Sequence, residues 1–167
     1  EDSLNFLEEK KVFKNNDDKF ILFHYDEKWT SDNYIKKFVD IEPSKNELIH
    51  FLNQLSNKTK KKIVITTGVK TPKIIDQIIS SIDINKIKIL NNQSFEDLED
   101  VVSKSDVLIS CHGAISHIAA AREIKQIDII DKSYNYGRWT KHFRNYRSIY
   151  RDDFTILSKE ILKKCID

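Results

Sequence analysis

At 167 residues, with 40% hydrophobic and 10% aromatic side chains, the chain has the length of one domain and is too apolar for disorder. Its 28 basic and 26 acidic residues leave a net charge of +2, which argues against the dominant basic field of a nucleic-acid-binding domain. The two cysteines, Cys111 and Cys165, make no disulfide framework and no metal-ligand spacing, and no run approaches the roughly 18 apolar residues of a spanning helix.

Residues 1–18 are polar and charged, ending in Lys14-Asn15-Asn16-Asp17-Asp18, and read as a lead-in segment or linker ahead of a domain over 19–167. Glu1-Asp2 before Leu4-Asn5-Phe6-Leu7 lacks the basic region and length of a signal peptide, so a reducing cytoplasm is the expected compartment. The chain begins without Met, which predicts a piece of a longer protein.

Phe20-Ile21-Leu22-Phe23 is the first predicted strand, closing on His24-Tyr25-Asp26-Glu27-Lys28-Trp29; residues 30–43 carry no clear period. Ser44 with Glu47 forms a capping box, after which Leu48, Phe51, Leu52 and Leu55 recur at helical spacing. Lys60-Lys61-Lys62, read as solvated charge, leads into the strand Ile63-Val64-Ile65-Thr66-Thr67, which stops at Gly68. Pro72 suits a helix first turn, with Ile74, Ile75, Ile78, Ile79 and Ile82 as its buried face. Ile87-Lys88-Ile89-Leu90 is the third strand, and Ser94 with Asp97 opens a helix that turns Phe95, Leu98, Val101 and Val102 inward. Val107-Leu108-Ile109 and Ile127-Asp128-Ile129-Ile130 are the fourth and fifth strands, and a helix with Ile156, Leu157, Ile161 and Leu162 ends the chain. Strands alternating with helices of this length predict an α/β domain: a Rossmann-like parallel sheet with helices on both faces.

The segment after the fourth strand carries the most chemistry. Val107-Leu108-Ile109 is apolar enough for a central strand, and Gly113 lets the backbone turn or approach a ligand closely. The small residues that follow open a helix whose free N–H groups and positive dipole end point at the sheet's carboxyl edge, where phosphate is the suited ligand. A strand, a turn and a helix packed with small residues account for the same pattern without any ligand.

At these residues the chain resembles the C-terminal half of glycosyltransferase family 9, the group that includes the lipopolysaccharide heptosyltransferases. The similarity runs over most of residues 20–131, through Lys28-Trp29, Thr66-Thr67-Gly68, Gln93-Ser94-Phe95-Glu96-Asp97-Leu98, and Leu108-Ile109-Ser110-Cys111-His112-Gly113 with His117 and Ala119-Ala120-Ala121. Cys111-His112 departs from the family's Asp-Ser or Asp-Thr, and Gly113 to His117 is one residue longer than usual. His112-Gly113-Ala114 also resembles family 61. The resemblance implies one half of a GT-B fold, which binds a nucleotide-diphosphate sugar for transfer to a cell-envelope glycan or glycolipid acceptor. It implies no cofactor and no obligatory metal, and it leaves the catalytic base on an N-terminal domain outside this chain. It further implies a cytoplasmic enzyme with an option of peripheral contact at the inner membrane.

On that basis the candidate donor and phosphate residues are Lys28, Thr67, Gly68, His112, Gly113, Ser116, His117 and Arg138. Lys28 would meet the charge that builds on the leaving nucleotide, and His112 and His117 could donate to phosphate or sugar. Arg138 heads a basic, aromatic stretch from Tyr134 to Arg147 that, if helical, sets Arg138, Lys141 and His142 on one face. Each has a plainer alternative: a surface lysine, a tight turn, a backbone-bonded loop histidine, a solvated helix. Trp29 is read as core, and Cys111 as a small buried residue. Two further readings of the whole stay open: a non-catalytic nucleotide-binding module, and a sugar-nucleotide epimerase-like domain whose candidate carboxylates would be Asp26 and Glu27.

Overall fold

In a computed structural model, residues 19–32 and 36–166 are described; the lead-in segment 1–18 lies outside them. Phe20–His24 forms β1, with all five residues buried, as a strand covered on both faces requires. A short 3-10 turn at Glu27–Trp29 follows, then α1 (Lys45–Thr59), β2 (Lys62–Thr66), α2 (Lys73–Ile78), β3 (Ile87–Leu90) and α3 (Phe95–Lys104). The second half runs β4 (Val107–Cys111), α4 (Ala114–Ala121), β5 (Lys125–Ile130), α5 (Gly137–Thr140), β6 (Tyr146–Tyr150) and α6 (Phe154–Ile166).

The six strands form one sheet in the order β3-β2-β1-β4-β5-β6, every pair parallel. The chain winds outward from β1 to β3, then returns to β4 on the other side of β1. The loops after β1 and β4 therefore part from each other and leave a crevice at the carboxyl edge. This is a Rossmann-like parallel α/β sheet wrapped by helices.

Local signals place the helices. Ser44 Oγ accepts the N–H of Glu47 at 3.1 Å, and Glu47 Oε1 accepts the N–H of Ser44 at 3.0 Å, the reciprocal cap of α1. Ser94 Oγ accepts the N–H of Asp97 at 3.1 Å and starts α3. Alternation along the strands then divides the core. Phe23, Ile65 and Ile109 face Leu48, Phe51 and Leu157, whereas Leu22, Val64 and Leu108 face Val101, Ile115 and Ala119.

Several expectations are corrected. The sheet has six strands, and β2 ends at Thr66 so that Thr67 already belongs to the loop. α2 stops at Ile78, which leaves Ile79 outside the helix and 53% exposed. Phe95 and Ile156 are 60% and 48% exposed and turn away from the core, although Phe154, two residues before Ile156 on α6, is buried in it. The stretch 134–147 is not a helix: 134–145 is a loop with one helical turn, and Tyr146 and Arg147 open β6. Trp29 is core: fully buried, stacked on Tyr25 at 5.3 Å and edge-on to Phe23 at 5.1 Å, its Nε1–H donating to the His24 carbonyl at 3.0 Å.

The last register row of the sheet on the α4 side changes character. Thr66, His24, Ser110 and Asp128 pair across adjacent strands and all are buried, one step beyond the apolar row Val64, Leu22, Leu108. His24 Nδ1 lies 2.8 Å from Thr66 Oγ1, and Asp26 Oδ2 lies 3.6 Å from its Nε2. Burial is the main influence on His24 and lowers its pKa below the ordinary 6.5, against the pull of Asp26. Its folded pKa lies below the unfolded one, so the unfolded chain binds the proton first as the medium is acidified. The stability tied to a neutral His24 is complete above pH 6.5 and is lost as pH falls toward the folded pKa. Urea titrations from about pH 7.5 down to about pH 5 are expected to show this loss in the wild type and a shallower one in His24→Gln. Equal slopes would clear His24 of the effect.

Candidate functional site

The crevice between the loops after β1 and β4 holds a cavity of about 460 Å³, lined among others by Lys28, His112, Gly113, Tyr136 and Arg151. A second cavity of about 500 Å³ is a groove along α1 and α6, lined by residues of those two helices from their first turns to their last.

The turn after β1 is built around a buried acid. Asp26 caps the 3-10 turn by accepting the N–H of Lys28 at 3.1 Å, and its other oxygen accepts from Lys28 Nζ at 2.8 Å. Burial alone would lower the Lys28 pKa, but Asp26 outweighs it and holds the ammonium above its ordinary value. Lys28 is thus a firm cation at the cleft. It reaches across to the start of α4, where a Cβ on Gly113 would sit 2.9 Å from Nζ. The φ of Gly113 is −179°, extended backbone open to any residue, so what the glycine supplies is room for the ammonium beside the helix's amino end.

The turn after β4 is built around a second buried acid, Asp128, fully enclosed in the middle of β5. It accepts three hydrogen bonds: from Ser116 Oγ at 2.9 Å, from Tyr146 Oη at 2.6 Å, and from His112 Nδ1 at 2.6 Å. A buried carboxylate needs such partners, and in return it fixes them. Placing the proton of His112 on Nδ1 leaves Nε2 on the ring's far side. Burial, followed by the Asp128 charge, pushes the Tyr146 hydroxyl pKa far up, so it stays a donor. Ser116 Oγ also accepts the Gly113 N–H at 3.2 Å and closes the first turn of α4.

Aromatic rings wall the far side. His112 meets Tyr136 edge-on at 4.9 Å and His117 at 5.5 Å; His117 in turn meets Phe143, and Phe143 meets Tyr146. Arg151, just past β6, ties the end of that strand to the loop after β1. Its Nε donates to the Val39 carbonyl at 2.9 Å and its Nη1 to the Lys28 carbonyl at 3.1 Å, while the guanidinium lies 5.5 Å from the Phe38 ring centre.

Of the residues singled out from the sequence, Lys28, His112 and Gly113 come together at the cleft. Ser116 is fully buried beneath it and acts through Asp128 and Gly113. His117 is exposed on α4, behind His112, and faces a neighbouring depression with Phe95 and Ala121. Thr67 is buried in the loop after β2, 3.5 Å from Thr71 Oγ1, and Gly68 packs beside Asp26 and Glu27. Both lie on the far side of Asp26 from the cleft lining. Arg138 is exposed, its guanidinium 5.9 Å from the Trp139 ring centre and outside that lining. Because α5 is a single turn, Arg138, Lys141 and His142 share no helical face. Burial pushes the Cys111 thiol well above its ordinary pKa, which leaves it neutral and unreactive.

Sequence reading missed Asp128, Tyr146, Tyr136 and Arg151. The available signal was the acid inside Ile127-Asp128-Ile129-Ile130, because a charge in an apolar strand needs buried donors nearby.

No family model and no curated protein matches the chain. Among solved structures it is similar to ADP-heptose lipopolysaccharide heptosyltransferase II of Escherichia coli, with a TM-score of 0.68 at 11% identity over 98% of this chain and 50% of that one. It is also similar to a glycosyl transferase of family 9 from Veillonella parvula, at TM-score 0.63 and 12% identity over 98% and 45% of the two chains. A third is UDP-GlcNAc 2-epimerase of Methanocaldococcus jannaschii in complex with UDP-GlcNAc and UDP, at TM-score 0.57 and 13% identity over 99% and 45%. At these identities the likeness is one of fold, and the chain spans about half the length of the structures it matches.

Proposed function

We propose that this domain binds a nucleotide-diphosphate sugar in the cleft between the β1 and β4 loops and serves as the donor half of a glycosyltransferase. The carrying observation is that two basic side chains, Lys28 and His112, converge on the amino end of α4, each backed by its own buried carboxylate. A diphosphate suits that arrangement, since the helix end offers N–H groups and a positive dipole while Lys28 supplies a full charge. In transfer, negative charge builds on the departing nucleotide diphosphate; Lys28 and the α4 terminus stabilise it, while His112 Nε2, turned to the cleft by the Nδ1–Asp128 bond, accepts from a sugar hydroxyl. Gly113 gives the Lys28 ammonium room beside the helix end where the phosphate would sit, and Ser116 holds the turn in shape. His117, Gly68 and Arg138 belong to the same proposal as outer contacts reached by the sugar or the base, with the buried Thr67 shaping the β2 loop behind Gly68.

The acceptor in this reading is a cell-envelope glycan or lipopolysaccharide, in keeping with the heptosyltransferase and family 9 folds the chain shares. The base that activates the acceptor hydroxyl lies outside this chain, so the domain alone binds donor and turns over poorly. An epimerase reading would ask Asp26 to act as a free acid or base, whereas Asp26 is 4% exposed and serves as the counter-ion of Lys28.

A thermal-shift panel of nucleoside diphosphates and their sugars tests the proposal. A ligand at a hundredfold excess over its Kd adds about 2.7 kcal/mol, which raises the Tm of a domain this size by roughly 5–10 °C. One diphosphate is expected to do so, and His112→Ala is expected to lose most of the shift. Absence of any shift across the panel would overturn the donor-site reading for this domain.

A further inference from the structure

Lys28 and His112 each face the cleft with a carboxylate of their own behind them. Arg151 lines the same cavity, half-buried, and the groups it bonds are neutral. They are the carbonyls of Val39 and Lys28, at 2.9 and 3.1 Å, and the Cys111 thiol, 3.8 Å from Nη1. Asp131 is close enough to feel the guanidinium but makes no ion pair with it; its oxygens accept the N–H groups of Val39 and Ser133 at 3.1 and 2.8 Å. These contacts occupy Nε and Nη1 and leave Nη2 without a partner among the described residues. A guanidinium stays charged at every pH the protein meets, so one bonded only to neutral groups on a cavity wall is suited to an anion.

A second donor stands beside it. The backbone N–H of Arg151 donates to the Ile130 carbonyl at 2.7 Å, and the N–H of the next residue, Asp131, donates to Tyr136 Oη at 3.4 Å. Consecutive residues at the end of β5 thus hold Arg151 and the Tyr136 hydroxyl close together on the cavity wall. Because Tyr136 Oη accepts from the backbone, its own hydrogen is left to donate, and burial raises its pKa so that it keeps that hydrogen. We propose that Arg151 and Tyr136 form a second oxyanion subsite in the cleft, beside the one at the amino end of α4, and that it takes the outer anionic group of the donor. This subsite presupposes the donor reading of the cleft and deepens it. With one phosphate at Lys28 and α4, it holds either the other phosphate of the diphosphate or a carboxylate on the sugar. Both present the paired oxygens that guanidinium N–H groups recognise.

Calorimetric titration of the 167-residue chain tests it. The probes are the mono- and diphosphates of adenosine, guanosine, uridine and cytidine, then the glucose and glucuronic acid esters of the diphosphate that binds. The wild type is expected to favour the ligand with the outer anion, diphosphate over monophosphate or glucuronic acid over glucose, by at least about tenfold. In Arg151→Gln that preference should fall to about threefold or less, while the monophosphate binds as in the wild type. Which of the two preferences falls assigns the subsite to phosphate or to carboxylate. Tyr136→Phe retains the ring beside His112 and should lower the same preference by about threefold, and it carries the test if circular dichroism finds Arg151→Gln unfolded. A wild type that binds nucleotide with neither preference, or variants that retain the preference in full, would overturn the subsite. So would an equal loss of mono- and diphosphate binding in Arg151→Gln, which would mean that Arg151 acts only by holding the Lys28 loop. A wild type that binds no nucleotide at all would overturn the donor reading itself, and is told apart from these results by that.

Discussion

Asp128→Ala is expected to destabilise the domain by about 3–5 kcal/mol, the range found when one partner of a buried charged network is removed. The size follows from what the carboxylate holds. Ser116, Tyr146 and His112 all donate to it, from α4, β6 and the β4 turn. Removing it leaves three donors without their acceptor, Ser116 fully buried and His112 and Tyr146 half-buried, the buried one costing about 1–3 kcal/mol before relaxation and the others less. Three elements also lose their common anchor, so His112 would swing free of its fixed tautomer. Asp128→Asn separates the two effects. It preserves the volume but offers one acceptor and one unwanted donor group, so it should cost less stability while still disturbing His112. Denaturant unfolding gives the stability, and the nucleotide thermal shift gives the site. A cost below about 1 kcal/mol for the alanine variant would mean that the three donors find other partners and that Asp128 does not organise the turn.

What was legible beforehand depended on how local each signal is. The caps at Ser44 and Ser94 are written within four residues, and both form as read. The buried runs of β1, β2 and β4 are short, apolar and bounded by turns, so their strands were plain, while the order in which they lie in the sheet is set by the fold. β6 was not. In Tyr146-Arg147-Ser148-Ile149-Tyr150 only Ile149 is buried, as suits an edge strand with solvent on much of both faces, so no hydrophobic pattern marks it.

The missing strand took part of the site with it, since Tyr146 begins β6 and Arg151 follows it. The bonds that matter span 12 residues from Ser116 to Asp128, 18 from Asp128 to Tyr146 and 123 from Lys28 to Arg151. No spacing rule joins such positions; the fold does. His112 and Gly113 could be found because a turn between strand and helix is a local event, whereas Lys28 was singled out through the resemblance at Lys28-Trp29, its surroundings alone reading as a surface lysine. Arg138 was read on a helix that the chain does not extend past Thr140, so its alignment with Lys141 and His142 had no backbone to rest on.

Trp29→Ala should match Asp128→Ala in cost, at about 3–5 kcal/mol, by a different route. The indole is fully buried between Tyr25 and Phe23, within an aromatic cluster that continues through Phe51 to Phe154 of α6. Its deletion removes a large transfer free energy and leaves a cavity among rings that cannot all collapse into it. Trp29 is also the residue after Lys28, and its Nε1–H bond to the His24 carbonyl pulls the turn back onto the end of β1. The same anchor that fills the core therefore sets where the ammonium stands over Gly113. Trp29→Phe keeps most of the packing but loses that hydrogen bond, and should cost about 1 kcal/mol beyond the change in volume. Its nucleotide affinity should fall more than its stability does, because the turn carrying Lys28 is released while the core persists. Measuring both quantities on both variants checks the coupling. If Trp29→Phe binds nucleotide as tightly as the wild type, then the position of Lys28 is set by Asp26 alone and the core contributes stability without shaping the site.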